Sequence, residues 1–348
     1  MSCSHQYTAI DLFSGCGGLS CGLEQAGFSV VASVEIDAIA AETYKLNHPG
    51  TKIIQADIKK VDPRALLRDL NVGSLDLLAG CPPCQGFSTL RRRNKRGARR
   101  DQRNSLIMEY LRFVKELEPK TILLENVPGL QDYYKFPTFV ASLKGMGYQV
   151  VYETLNAENY GVPQRRKRLV LLGSRVGAPS LPQKNDKRVT VREAIGALPD
   201  ASNASDEIHR MYSRHSDRIK KLIESIPKDG GSRCDIPSDC QLACHAKEGV
   251  GFSDVYGRMV WDDVAPTITG GCLNPSKGRF LHPVENRSIT AREASLLQTF
   301  PDNYTFPPNI SKQAVALMIG NALPPAFACQ QARALVEVLD AQAPSGQA

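Results

Sequence analysis

Two cysteines flank a pair of prolines in Gly80-Cys81-Pro82-Pro83-Cys84-Gln85-Gly86-Phe87-Ser88. Three chemistries use that spacing: a redox pair, half of a zinc site, or a single nucleophilic thiol presented by a stiff turn. A redox pair ordinarily opens a helix, whereas glycine and a basic stretch follow here. Zinc needs two more ligands, and Cys234, Cys240, Cys244 and His245 gather elsewhere in the chain. A carboxylate follows in Glu125-Asn126, and cations in Gln164-Arg165-Arg166-Lys167-Arg168. A carboxyl group can move a proton, and positive charge beside a thiol favours the reactive thiolate.

A second set of residues suits a nucleoside. In Asp11-Leu12-Phe13-Ser14-Gly15-Cys16-Gly17-Gly18 the glycines permit a tight turn and a close approach of backbone N–H groups to a ligand. Glu35 stands 20 residues beyond Gly15, the place of a carboxylate that accepts from ribose hydroxyls, and Asp57 can accept from an adenine amino group. The pattern departs from G-x-G-x-x-G, because Leu19-Ser20 follow Gly18 and the next glycine is Gly22. A ligand without a pyrophosphate fits better, but the residues alone leave both NAD and S-adenosylmethionine open.

Such groups need elements to position them. Short apolar runs at 8–13, 30–36, 53–57, 75–79, 121–125, 149–155 and 168–173 predict strands. Amphipathic stretches at 19–27, 38–47, 63–70, 105–116 and 139–146 predict helices. The alternation predicts an α/β fold with a doubly wound parallel sheet, whose ligands sit beyond the carboxyl ends of the strands. Phe13-Ser14-Gly15, Glu35, Asp57, the 80–84 turn and Glu125-Asn126 all fall at those ends. After Gly173 the rhythm stops: 173–187 reads as a linker, and about 200–271 as a smaller, irregular lobe. Helices return at 288–298, where Thr290 and Glu293 have capping-box spacing, and then at 312–320 and 324–339.

The 348 residues, 42% hydrophobic and 23% charged, are ordinary for a soluble globular chain with a sizeable core. No 18-residue apolar run suggests a membrane span, and the polar start at 1–7 is expected not to be a secretory signal. Ten irregularly spaced cysteines fit free thiols in a reducing cytosol better than disulfides. The net charge of +7 is uneven, with seven bases and no acid between 91 and 100. Such a run is either a solvated surface or a set of phosphate contacts.

Taken in order, these motifs resemble those of the C5-cytosine-specific DNA methyltransferases of bacterial restriction–modification systems. Pro82-Pro83-Cys84-Gln85-Gly86-Phe87-Ser88 is similar to the family's catalytic motif, and Glu125-Asn126-Val127-Pro128-Gly129 to its second one. The glycine loop, Val34-Glu35-Ile36-Asp37, Gln55-Ala56-Asp57-Ile58 and the Gln-x-Arg-x-Arg motif at 164–168 follow family order. So do Gln298-Thr299-Phe300-Pro301 and Gly320-Asn321-Ala322-Leu323-Pro324-Pro325, so that the resemblance spans about 6–338.

The resemblance implies a doubly wound, Rossmann-like sheet that binds S-adenosylmethionine, with no metal. It implies Cys84 as the nucleophile at cytosine C6, Glu125 as the proton donor at N3, and Gln85, Asn126, Arg166 and Arg168 as their helpers. Phe13, Ser14, Gly15, Gly17, Gly18, Glu35, Ile36, Asp57, Ile58, Pro83, Asn321 and Ala322 would hold the methyl donor. The implied layout is a catalytic domain over 1–184, target recognition over 185–287, helices completing the catalytic domain over 288–340, and a frayed tail at 341–348. The implied partner is double-stranded DNA, its target base flipped out of the stack, with the basic run at 91–100 meeting phosphates. A cognate restriction endonuclease is a further implied partner, and the enzyme is expected to be a cytoplasmic, bacterial monomer without membrane association. The family's transfer-RNA-methylating branch is disfavoured by the sizeable second lobe. Cys81 departs from the family pattern and reads as a small buried filler.

Overall fold

A computed structural model describes residues 7–83, 106–237, 240–242 and 254–342. Cys84, Gln85 and the basic run at 91–100 lie outside the described residues. The chain forms two compact units: Met1–Asn156, Lys167–Lys184 and Leu323–Ala348 make the first, Ala157–Arg166 and Asn185–Ala322 the second.

The first unit is a seven-stranded sheet flanked by helices. Its strands are β1 (Tyr7–Leu12), β2 (Phe28–Glu35), β3 (Lys52–Gln55), β4 (Leu77–Gly80), β5 (Thr121–Asn126), β6 (Gln149–Asn156) and β7 (Lys167–Ser174). They lie in the order β3-β2-β1-β4-β5-β7-β6. The first five run parallel, as expected. β7 departs from the expected parallel sheet, because it is antiparallel to both β5 and β6. Its continuous apolar run Leu169 to Leu172 suits a strand buried on both faces, and such a run carries no sign of direction.

Helices α1 (Gly18–Gln25), α2 (Ala38–Asn47), α3 (Pro63–Leu70), α4 (Leu106–Leu117), α5 (Phe136–Gly145) and α10 (Pro325–Asp340) complete this unit. Local chemistry sets where they begin. Asp37 accepts from Ile39 N and Ala40 N at the start of α2, and Asp62 from Arg64 N and Ala65 N at the start of α3, where Pro63 takes the first position. Gly22 lets α10 approach α1 closely, since a Cβ there would stand 2.5 Å from Ala328 Cβ and Pro325 O.

The second unit has short helices, α6 (Val191–Ile195), α7 (Asp217–Ser225), α8 (Ala291–Leu297) and α9 (Lys312–Asn321), joined by long irregular segments. A small apolar cluster forms around Leu222, Ile223, Ile226, Ile236, Tyr256 and Leu281. Buried arginines tie the rest together. Arg258 is fully buried and donates to the carbonyls of Ile223, Ile226, His282 and Glu285 and to Asn286 Oδ1. A long irregular chain leaves carbonyls without ladder partners, and a guanidinium supplies five donors in one plane.

Candidate active site

The turn after β1 is shaped by backbone. Phe13 (φ 62°), Gly15 (φ 54°) and Gly17 (φ 98°) all take positive φ, so the chain doubles back before α1 begins. Phe13 N and Ser14 N donate to Val34 O at 2.9 and 3.2 Å, which fixes the turn beside the end of β2. Glu35, the last residue of β2, accepts from Gly15 N at 2.8 Å with one oxygen. Its other oxygen accepts from Ile36 N and Asp37 N. The structure thus brings the expected loop and carboxylate together. Ile36, just past the carboxyl end of β2, is 66% exposed.

Two features of this turn favour a ligand. Among the described residues, a Cβ at Gly15 would meet nothing within 4 Å. Among the described residues Ser14 Oγ is buried with no hydrogen-bond partner, a cost of about 1–3 kcal/mol that a bound acceptor or donor would remove. Asp11, below the turn, is fully buried and accepts from Ser20 Oγ at 2.7 Å. Burial pushes its carboxyl up to about 7 against the opposing Ser20 hydrogen bond, and Glu35 adds to the rise. Asp57 ends the neighbouring segment and caps a short 3-10 turn, Ile58–Lys60, accepting from Lys59 N at 3.0 Å. Ile58 itself is buried.

The antiparallel direction of β7 matters for the second cluster. A strand running against β5 begins where β5 ends, so Arg168, second in β7, enters at the carboxyl end of β5 where Glu125 lies. Their Nε–Oε1 separation is 2.7 Å, and the side chains are 16% and 9% exposed. Asn126 Nδ2 donates to Pro82 O at 2.8 Å, and Cys81 N donates to Leu12 O at 3.2 Å. The start of the Cys-Pro-Pro turn is therefore tied to β1 on one side and to β5 on the other. The Cys81 thiol is pushed well above its ordinary range, first by burial and then by the charges of Glu125 and Asp11, so it stays a thiol. Cys81 is half-buried, and the Glu125 charge is the second cause of that rise.

Three expected residues fall in the second unit. Arg166 donates to the carbonyls of Ile268, Gly320 and Ala322 at 2.9, 3.1 and 3.0 Å. Asn321 ends α9, with Ala322 after it. Gln164, just before, donates to Leu297 O and Gln298 Oε1 and accepts from Ile268 N. Gln298 in turn donates to Ile319 O. Sequence reading missed this network, since its members are 21 to 156 positions apart. It also missed His282, Glu285 and Glu293, whose ligand atoms lie within 4.8 Å of one another. Arg287 already bridges both carboxylates there, so a cation would have to displace a guanidinium.

Known proteins with this pattern are numerous. The profile of the C-5 cytosine-specific DNA methylase family matches residues 7–337. The Type II methylase M.HgiDII of Herpetosiphon aurantiacus is 36% identical, over 95% of each chain. Type II methyltransferase M1.HphI of Haemophilus parahaemolyticus is 33% identical, over 95% of this chain and 87% of its own. Among solved structures, a protein assigned as a DNA modification methyltransferase of an E. coli prophage superposes with a TM-score of 0.70 at 26% identity, covering 96% of this chain and all 100% of that one. S. pombe Dnmt2 methyltransferase, at 18% identity and a TM-score of 0.67 over 96% of this chain and 99% of its own, shares the fold.

Proposed function

The chain belongs to the C-5 cytosine-specific DNA methylase family, and we propose that it methylates C5 of a flipped-out cytosine within one specific duplex sequence, through a covalent bond from Cys84 to C6. The activity class is that of its Type II relatives. Among the described residues no helix is long and apolar enough to cross a membrane.

The observation that carries the reading is the Glu125–Arg168 pair, lying beside the tethered start of the turn that leads to Cys84. The Cys84 thiolate adds to C6, and the ring electrons move toward N3 and C5. Glu125, in its acid form, gives N3 a proton; as a carboxylate it accepts from the 4-amino group. Arg168, paired with it at 2.7 Å, holds the Glu125 carboxyl in place at the strand end. Asn126 holds the turn and Gln85 follows the nucleophile. Once C5 carries the methyl group, loss of the C5 proton to water, expulsion of the Cys84 thiolate and return of the N3 proton to Glu125 restore the neutral aromatic ring. Arg166 serves by positioning, through the carbonyls it gathers.

S-adenosylmethionine, when bound, supplies an electrophilic methyl group. The residues present fit it: among those described, the uncrowded turn at Gly15, the unpartnered Ser14 hydroxyl and the exposed Ile36 beside the Glu35 carboxylate suit a nucleoside with an amino-acid tail. Phe13, Gly17, Gly18, Asp57, Ile58, Pro83, Asn321 and Ala322 complete the proposed set. Residues 185–287 would read base edges, and the run at 91–100 would meet phosphates. A cytoplasmic monomer protecting its host's DNA from a cognate endonuclease is the proposed setting.

Two measurements test this. A duplex carrying 5-fluorocytosine should trap an adduct on Cys84 in the presence of donor, and Cys84→Ser should lose methylation by a factor of about 10⁴ or more while keeping DNA affinity. An adduct on Cys81, or activity in Cys84→Ser, would refute the assignment. Duplex DNA and transfer RNA offered side by side with labelled donor separate the two branches of the family, and label only in RNA would overturn the DNA reading.

A further inference from the structure

The proposed adenine segment is weakly supported by its own elements. β3 has four residues and pairs only with β2, at the edge of the sheet. The turn after it is three residues of 3-10 helix, a geometry with poorer hydrogen bonds than an α-helix. Asp57 caps that turn, so its orientation depends on the path of the backbone from 57 to 61.

Another element reaches across to hold this path. Arg112, on α4, donates from Nη2 to Ile58 O at 2.7 Å and from Nη1 to Val61 O at 3.1 Å. Its Nε donates to Glu109 Oε2 at 2.9 Å, and its guanidinium lies 4.9 Å from the Phe113 ring centroid. The side chain is thus fixed on its own helix before it grips the turn, and α4 is anchored by Ile107, Tyr110, Leu111, Phe113, Val114 and Leu117 in the core. Ile58 O accepts from Val61 N as well, one of the two bonds that close the 3-10 turn, the other running from Lys60 N to Asp57 O, so the guanidinium sits on the carbonyl where the turn ends.

We infer that Arg112 is a positioning residue for methyl-donor binding, which sets the Asp57–Val61 turn so that Asp57 and Ile58 meet the adenine ring. The inference rests on the proposal that these two residues bind the nucleoside of S-adenosylmethionine. Arg112 touches neither donor nor base and acts through two carbonyls. A lysine in its place can reach one carbonyl and cannot hold both in a fixed fork.

The test uses the full chain, with S-adenosylmethionine and S-adenosylhomocysteine as probes in calorimetry and steady-state kinetics on duplex DNA. Arg112→Gln should weaken both adenosyl ligands about tenfold and raise the donor KM to match, the size expected for losing a charged hydrogen-bond donor. Its kcat at saturating donor and its KM for DNA should stay within about twofold. Arg112→Lys should recover part of the loss. Arg64→Gln, which breaks the exposed Arg64–Glu116 pair to the same helix, should leave donor affinity unchanged. Combined with Asp57→Asn, Arg112→Gln should cost less than the sum of the two single changes, because both act on one contact.

Wild-type donor affinity in Arg112→Gln would overturn the inference, as would equal losses of donor affinity, DNA affinity and kcat, which would mark a general structural role. Strict additivity with Asp57→Asn would overturn it too, and the lysine variant keeps that cycle available if glutamine prevents folding. Failure of the unaltered chain to bind either adenosyl ligand would instead overturn the functional reading on which it rests.

Discussion

Arg166 and Arg168 stand two positions apart in one motif, and the boundary between the compact units passes between them. Arg168 belongs to the first unit and meets a carboxylate, Glu125, at the end of a strand. Arg166 belongs to the second and donates to three carbonyls, those of Ile268, Gly320 and Ala322. In the first unit, a regular sheet satisfies the backbone between strands, and the charged groups at the strand ends meet each other or the turns, as Glu125 meets Arg168 and Glu35 meets Gly15 N. In the second, irregular chain leaves carbonyls unmatched, and buried arginines such as Arg258 are consumed in matching them. The division is not strict, since Arg112 grips two carbonyls in the first unit and Arg287 pairs with two carboxylates in the second.

Replacing each arginine by glutamine should separate these roles, and this is the largest effect expected. Arg166→Gln withdraws a charged donor from three carbonyls, two of them in bonds that are fully buried, and should destabilise the protein by about 3–5 kcal/mol in denaturant unfolding. Arg168→Gln should cost less, about 1–2 kcal/mol, because it loses one ion pair and the glutamine amide can still donate to Glu125. Its kcat should nonetheless fall about 100-fold. The comparison breaks if Arg168→Gln is the less stable variant, or if Arg166→Gln is fully stable yet inactive.

A second prediction tests whether the regular unit carries its own strain. Asp11 is buried under the glycine turn with its carboxyl raised from 3.8 to about 7. The folded state therefore holds a proton that the unfolded chain has lost, and stability falls as pH rises between those values. Asp11→Asn is neutral throughout and can still accept from Ser20. Its stability relative to the unaltered protein should rise from about pH 4 to about pH 7 and level off above that, by up to about 4 kcal/mol in all. A difference that stays flat over that range would show that Asp11 titrates normally.

Legibility divided along the same line. In the first unit each predicted strand lies within a few residues of the observed one, and α2 and α3 match at both ends. Apolar runs, Asp caps and the Pro63 start are local signals, so one sequence carries them. The direction of β7 was not legible, because it depends on where the chain goes between Asn156 and Lys167. The glycine turn and Glu35 were legible as a pair and are hydrogen-bonded. Cys81 beside Glu125 and Asn126 on Pro82 O were not, since only strand register brings them together. In the second unit the long-range staples through Gln164, Arg166 and Arg258 have no local signature at all.

The smallest effect concerns a local signal that was read once and missed once. Thr290 was recognised as a cap three residues before Glu293, and the capping box is present at the start of α8. Thr190 and Glu193 form the same box at the start of α6. The first is embedded in the staple system: Thr290 Oγ1 also shares a 2.9 Å hydrogen bond with His209 Nδ1, and Glu293 is paired with Arg287 at 2.7 Å. The second stands at the surface, with Glu193 held by an exposed Lys187. If burial, and not the motif, decides what a cap is worth, Thr290→Ala should cost about 1–2 kcal/mol and Thr190→Ala less than about half of that. Thr290→Ser should restore most of the loss, because a serine hydroxyl can serve both partners. Equal losses at the two positions would mean that the cap acts alone and that the buried polar network adds nothing to it.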